Sequence, residues 1–470
     1  MDKSATRGKR GYSGFPTRFL MRLSTVEGGF AQVHQMLTSG VFLTALALSM
    51  GAKPWHLGFL AAIPHLTQVF QLLGAYLVEA THRRKLIATL SAGISRFAWI
   101  LIPLFYLIDD PSAALRWLLI TVVVASCMEL VSNNAWTTWM ADLIPESLRG
   151  RYFGFRRGVL AAVTIGVSLL GGFWLDWGSK AISHEGALTG ILMLAATGGL
   201  VSVALLKRQP DIPRPVERVA PKVRDLLLQP IRNVQFRRAL EFFLLWNAAI
   251  GFTAAFFNLH MIQQLKMSFL AIGIFQAIKP FIGLFLFKRW GRLLDQFQVR
   301  SVMLITGAMI TTLPLIWLLP TKGHLAALGV VAVISGIAWT GFNISVYTYP
   351  MHLSPRIGRS YYLAYFSIIS GLGFVLASFA GGLVAQSMEN WRLVVGERTF
   401  MVFHLMFVIS AAIRLVALTL LFRLRELRIP GTIALINHIG GELWRMGASG
   451  RPFPRWIRKI AGSGKTDSAP

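Results

Sequence analysis

Apolar runs of 18 or more residues recur from near Gly28 to Phe422, and no other feature of this 470-residue chain limits its fold so strongly. Each run is long enough to cross a hydrocarbon core of about 30 Å as a helix. A soluble chain of this length would divide into two or three domains. Here 54% of residues are hydrophobic, and the runs leave no soluble core to build. A signal peptide does not fit either: the first run lacks a small-residue cleavage site and is followed by many like it. The runs predict twelve helices, at 28–50, 55–80, 86–108, 115–143, 152–177, 187–206, 238–265, 268–290, 299–320, 324–352, 359–387 and 399–422. The expected fold class is an all-α membrane protein with twelve transmembrane helices in two pseudo-symmetric six-helix halves.

A net charge of +27 would suit a nucleic-acid partner if it formed a patch. It does not. With the N-terminus placed in the cytoplasm, 37 Lys and Arg fall in the inner segments and 7 in the outer ones. Three more, Arg96, Lys279 and Arg414, lie inside spans. That asymmetry is the positive-inside signal and puts both termini in the cytoplasm, in a membrane expected to be a bacterial inner membrane. The basic segments meet anionic lipid headgroups, and no nucleic-acid partner is expected. The single cysteine, Cys127, excludes an intrachain disulfide and leaves a thiol metal site without ligands. The proline-rich charged stretch 207–230 divides six spans from six. The expected organisation is a cytoplasmic segment (1–27), a first half (28–206), a linker (207–237), a second half (238–422) and a basic tail (423–470). Within the tail, FPRWIRKIAG (453–462) mixes Trp456 and Ile457 with basic residues, as either an interfacial helix or a solvated tail would.

The halves also share residues. At an offset of 210, Asn133, Thr138, Leu143, Pro145, Arg149, Tyr152, Ser168, Gly171 and Gly172 meet Asn343, Thr348, Leu353, Pro355, Arg359, Tyr362, Ser378, Gly381 and Gly382. Paired Pro, Arg, Tyr and Gly-Gly at equal intervals do not arise from apolar composition. The turn LIPESLRGRYFG (143–154) thus has a counterpart in LSPRIGRSYYLA (353–364). A weaker pairing joins Ala75 and Glu79 to Gly291 and Asp295, each acid being followed by basic residues.

Six plus six spans, a basic linker and repeated inner turns resemble the major facilitator superfamily over roughly residues 25–425. Gly291-Arg292-Leu293-Leu294-Asp295 matches that family's signature after an even-numbered span. Glu129 stands where the span-four motif carries an arginine, and no proline lies in 152–177, so the drug/proton antiporter motifs are incomplete. The resemblance implies a secondary transporter working by alternating access around a midplane site between the halves. It also implies that spans one, four, seven and ten line the cavity.

Each of those spans carries a polar stripe. Span one has His34 and Gln35, and span four has Glu129, Asn133 and Asn134. Span seven has Asn247 and Asn258, and span ten has Asn343 and Tyr347. Such residues either face a cavity or bond neighbouring helices. Charges at membrane depth are sharper pointers. Lys279 lies beside Pro280 and is the expected countercharge for an anionic or zwitterionic small substrate. Arg96 either pairs with Glu129 or faces the cavity. Arg414 is expected to snorkel or bind a neighbouring helix. Glu129 and His34 are the candidates for proton coupling. Arg149, Arg151 and Arg359 are expected to form a cytoplasmic gate with Glu79, Asp142 and Asp295.

The sequence contains no Walker loop, no HExxH and no nucleophile constellation, so neither enzyme activity nor a cofactor is expected. Transport of a small organic solute by a monomer is the primary expectation. Efflux of hydrophobic compounds, or a non-transporting sensor or assembly platform, are the alternatives.

Overall fold

The structure, a computed structural model, describes residues 17–81, 83–211, 230–354, 359–396, 398–424 and 435–437. Most of the expected linker and the expected interfacial helix of the tail lie outside these residues. In chain order the helices are α1 (Thr17–Leu37), α2 (Gly40–Ser49), α3 (Pro54–Leu66), α4 (Phe70–Thr81), α5 (Arg84–Ile100), α6 (Pro111–Leu143), α7 (Glu146–Ala181) and α8 (His184–Arg208). After residue 230 come α9 (Val234–Gly251), α10 (Phe269–Gln296), α11 (Val299–Ile316), α12 (Ala326–Leu353), α13 (Arg359–Ser387) and α14 (Val402–Leu421). Among the described residues, ten helical runs from Arg84–Leu107 to Val402–Leu421 are long and apolar enough to cross a membrane.

Side chains set several of the starts. Asp110 accepts from the Ser112 amide at 2.8 Å, Ser183 from Gly186 at 2.9 Å, and Asn233 from Gln235 and Phe236 at 3.1 Å. Each satisfies a first-turn N–H that has no partner within its own helix.

The first two expected spans are not single helices. α1 begins at Thr17, well ahead of residue 28, because Arg18, Arg22 and Glu27 hide its first turns from a hydropathy reading. It ends where Thr38 and Ser39 donate their hydroxyls back to the carbonyls of His34 and Gln35, at 2.8 and 2.6 Å. Gly40 then takes φ +57°, a left-handed conformation that glycine adopts without a Cβ clash. The second span breaks just past Pro64, which lies inside α3 and whose ring nitrogen has no proton to donate. A tight turn, Thr67–Val69, leads from there into α4. Beyond α9 the chain loosens through 252–255, resumes as Phe256–Leu259 and ends in a π turn, His260–Gln264. Breaks thus fall near residues 38–40 and 251–255, close to one repeat interval apart.

Two strands depart from an all-α chain. β1 (Arg392–Val395) and β2 (Arg398–Met401) pair antiparallel, and Gly396 beside their turn has φ +62°. They move the start of the last helix from the expected 399 to Val402. The end of the bundle that carries them is termed the hairpin end.

Helices before residue 211 pack chiefly on one another, as do those after 230: α1 on α7 and α8, α5 on α6 and α8, α9 on α13 and α14, α11 on α12 and α14. Two seams join these groups, α7 with α10 and α3 with α13. The repeated small residues build the seams. In one, the carbonyl of Ser168 faces Gly273 and Gly172 faces the carbonyl of Phe269. In the other, a Cβ on Gly58 would lie 2.6 Å from the Ser378 carbonyl, and one on Gly382 would lie 2.8 Å from Trp55 Cα. The Ser378 hydroxyl also donates to the Gly58 carbonyl at 2.8 Å. Their neighbours serve the interiors of the groups: Gly171 lies against Phe42, and Gly381 against the backbone of Phe252. The repeated tyrosines act alike too. Tyr152 donates to Ser24 of α1 at 2.7 Å, and Tyr362 packs on Phe236 of α9 with ring centroids 4.7 Å apart.

Arg414 is buried on α14 and donates to the Ile310 carbonyl at 3.1 Å. Pro314 lies four residues beyond Ile310, so that carbonyl has lost its usual backbone donor. The arginine fills the gap, which makes it a helix-to-helix tie. Leu170, Phe173, Leu376 and Phe379 are exposed on outward faces, as a hydrocarbon-facing surface requires.

Candidate functional site

Among the described residues, three adjoining cavities stand out in the interior. The largest of these three, about 410 Å3, lies between α10 and α12 and is closed from the other group by Met36, Thr164 and Ser168. Its wall includes Phe275, Gln276, Lys279, Pro280, Gly283, Trp339, Thr340 and Asn343. The others, about 210 and 130 Å3, both reach Gln35 and Glu129. His34 lines the first of these, and Asn133, Trp136 and Arg156 line the second. Gln32 borders the smallest cavity and donates at 3.1 Å to Thr164, which borders the largest.

The helix breaks shape this space. α1 supplies Gln32, His34, Gln35 and Met36 just before its interruption at 38–40. Pro280, inside α10, withdraws a backbone donor from the Gln276 carbonyl on the cavity wall. The Gln276 amide reaches Asn258 at 3.5 Å.

Before residue 211, two arginines that lie beside the cavities are paired. Arg96 and Glu129 form a two-pronged ion pair, with Arg96 Nη2 3.2 Å from Glu129 Oε1. The Arg96 side chain is 4% exposed and that of Glu129 42%, so the carboxylate is the partner open to the cavity. Gly199 makes room for this arginine: a Cβ there would collide with Arg96 Cγ and lie 3.0 Å from His34 Nδ1. His34 Nδ1 lies 2.9 Å from the Ala195 carbonyl, which assigns the donated proton to Nδ1 and leaves Nε2 to bind another. A second pair joins Arg156 to Glu27 at 3.6 Å. Ser202 donates to the other Glu27 oxygen at 2.9 Å, and the Arg156 guanidinium stands 4.3 Å from the Trp136 ring centre.

Lys279 differs. Its ammonium lies 5.0 Å from the ring centre of Trp339, and it has no ion pair with any carboxylate among the described residues.

The expected stripes of spans one, four and ten therefore reach the cavities through His34, Gln35, Glu129, Asn133, Trp339 and Asn343. Asn134 instead lies beside Gly74 of α4. Asn247 donates to the Phe243 carbonyl of its own helix at 2.8 Å, and Asn258 borders none of the three cavities, touching only Gln276 at the edge of the largest. The side chains of Tyr347, Glu79, Asp142, Arg149, Arg151 and Arg359 lie outside the described residues. Asp295 is exposed and makes no ion pair among them. The expected cytoplasmic gate is therefore without a described contact.

Two features escape sequence reading. Glu27 precedes the first apolar run and reads as a surface charge, yet it is 3% exposed. Asp176, on α7 at the hairpin end, accepts from the amides of Phe269 and Leu270 at 2.8 Å each. It thereby caps α10 from across a seam. An acid followed by Trp177 near the end of an apolar run was the available signal, but nothing in the sequence pointed to its partner.

Residues 29–361 match the Major Facilitator Superfamily, and the chain belongs to that family. It is a secondary transporter and not an enzyme. Solved structures agree on the fold. A mutant form of the nucleoside transporter NupG is 14% identical with a TM-score of 0.66, covering 87% of this chain and 100% of that one. The D-xylose–proton symporter is 14% identical with a TM-score of 0.66, covering 88% and 98%. A bacterial homologue of the human lysosomal transporter Spinster, inward-facing and occupied, is 15% identical with a TM-score of 0.63, covering 86% and 96%. Among curated proteins none matches.

Proposed function

We propose that the protein carries a small organic anion or zwitterion across the membrane by alternating access, with Lys279 as the countercharge. The observation that carries this reading is the contrast in pairing. Arg96 and Arg156 each have a carboxylate partner, whereas Lys279 faces the largest cavity against Trp339 alone. A cation kept at membrane depth without a partner needs a compensating charge, and a bound anion supplies it.

The scaffold of the proposal is twelve spans in two pseudo-symmetric halves, with broken helices at matching positions beside the site. The Lys and Arg distribution supports a cytoplasmic location for both termini and an outer location for the hairpin end. The seams then hold the outer side closed, and the repeated turns at 143–154 and 353–364 serve the inner side. Glu129 couples transport to protons: protonation of its carboxylate releases Arg96. Uptake by proteoliposomes tests both parts. Lys279→Gln is expected to abolish substrate uptake. Glu129→Gln is expected to abolish uptake driven by a pH gradient and to spare exchange between loaded vesicles. Undiminished gradient-driven uptake by either variant refutes its assigned role.

A further inference from the structure

We infer that the substrate is an amphipathic monocarboxylate, its one carboxylate on Lys279 and its hydrocarbon or aryl body against Trp339, Phe275 and Met36. The inference rests on the anion reading above and narrows it.

It follows from what the wall of the largest cavity has left to offer. Among the described residues of the wall, Lys279 is the one that is charged. Several other polar groups are already engaged. The hydroxyls of Thr164 and Thr340 donate to carbonyls of their own helices, at 2.9 and 2.6 Å. The Gln276 amide is directed to Asn258. Ser168, 1% exposed in the seam, and Ser335 have no hydrogen-bond partner among the described residues, so two hydroxyls remain. Asn343 is exposed to the cavity and has no partner among the described residues, so its amide is a further free donor. The ammonium and an uncharged donor of this kind suit the two oxygens of a single carboxylate.

The remaining surface is apolar and aromatic. A polyol or nucleoside would bring more hydroxyls than these few groups can partner, each unpartnered one a loss. A dicarboxylate would bury a second charge with no cation to meet it. Trp339 already flanks the ammonium at 5.0 Å, so its ring also flanks the first carbons beyond a carboxylate bound to that ammonium. The volume, about 410 Å3, falls in the range of sites that enclose one small organic molecule.

Thermal unfolding of the purified full-length protein tests this with phenylacetate, succinate and D-xylose. A ligand that binds the folded state raises the unfolding temperature by an amount that grows as ln(1 + L/Kd), where L is the ligand concentration, so the concentration dependence yields Kd. Phenylacetate is expected to stabilise the wild type. Its Kd should rise at least about tenfold in Lys279→Gln, which loses a charge-assisted contact, and by less than about threefold in Lys279→Arg. Succinate and D-xylose are expected to do nothing. Succinate stabilisation that depends on Lys279, without phenylacetate stabilisation, overturns the monocarboxylate class and leaves the anion reading standing. Stabilisation by D-xylose, equal phenylacetate stabilisation in wild type and Lys279→Gln, or none by any probe overturns both. If Lys279→Gln does not yield a monodisperse protein, Trp339→Ala carries the test. It should weaken phenylacetate about fivefold through lost apolar contact, and an unchanged Kd overturns the inference.

Discussion

Asp176→Asn is expected to loosen the seam at the hairpin end. In the wild type, one carboxylate oxygen takes the Phe269 amide and the other takes the Leu270 amide, both at 2.8 Å. These are first-turn N–H groups of α10, and the positive end of that helix's dipole faces the carboxylate. Asparagine keeps one acceptor oxygen and presents an amide to the second N–H. One charge-assisted hydrogen bond is lost, a contribution of about 1.5–3 kcal/mol. The charge–dipole term goes with it, about 0.3–1 kcal/mol near a surface. Asp176 is half-buried, so solvent screens part of this, and about 2 kcal/mol is a fair net figure. Because the bond crosses between the two helix groups, that energy acts directly on opening of the seam. A change of about 2 kcal/mol shifts the closed-to-open ratio by roughly thirtyfold. Pulsed electron–electron resonance between spin labels at Lys180 and Lys322, in a Cys127→Ala background, reads the separation of the groups. Asp176→Asn should add a longer-distance population, and Asp176→Ala a larger one. Distance distributions identical to wild type in both variants refute the latch.

Three further outcomes follow from the same geometry. Gly58→Ala places a Cβ 2.6 Å from the Ser378 carbonyl; overpacking of about 1–3 kcal/mol should open the second seam in the same distance measurement. Glu129→Gln should cost about 1–2 kcal/mol in denaturation, solvent at the 42%-exposed carboxylate offsetting part of the buried-pair figure, and Arg96→Gln/Glu129→Gln together less than that, because the single variant leaves a buried arginine uncompensated. Arg414→Leu should be milder in a Pro314→Ala background by about 1 kcal/mol, since replacing the proline restores a backbone donor to the Ile310 carbonyl; equal losses in both backgrounds refute that role.

Most of the fold was legible because burial in lipid reduces helix placement to counting apolar residues. The repeat carried more than duplication. Ser168, Gly172, Ser378 and Gly382 were visible as matched residues, and they are the seam contacts. Arg96 and Glu129 were readable as a possible pair because α5 and α6 are consecutive and antiparallel. Asp176 was not, because its partners are backbone amides 93 and 94 residues away, which leave no residue-type signature. Glu27 and Arg156 failed for a related reason: each lies near the end of an apolar run, where a charge reads as solvated. The helix breaks at 38–40 and 251–255 were also missed. Thr38, Ser39 and Gly251 are ordinary within membrane helices, and only the hydrogen bonds at Gln35 and His34 reveal the first interruption. The polar stripe expected on span seven lines none of the three cavities described; there Gly251 packs against the backbone of Phe374.

The central claim, that Lys279 holds the substrate's charge during transport, is tested most directly by uptake of radiolabelled phenylacetate into proteoliposomes bearing an imposed pH gradient. Wild type and Lys279→Arg should show saturable uptake, and Lys279→Gln should fall to the level of protein-free vesicles. Saturable uptake by Lys279→Gln at the wild-type rate and half-saturation would contradict the account.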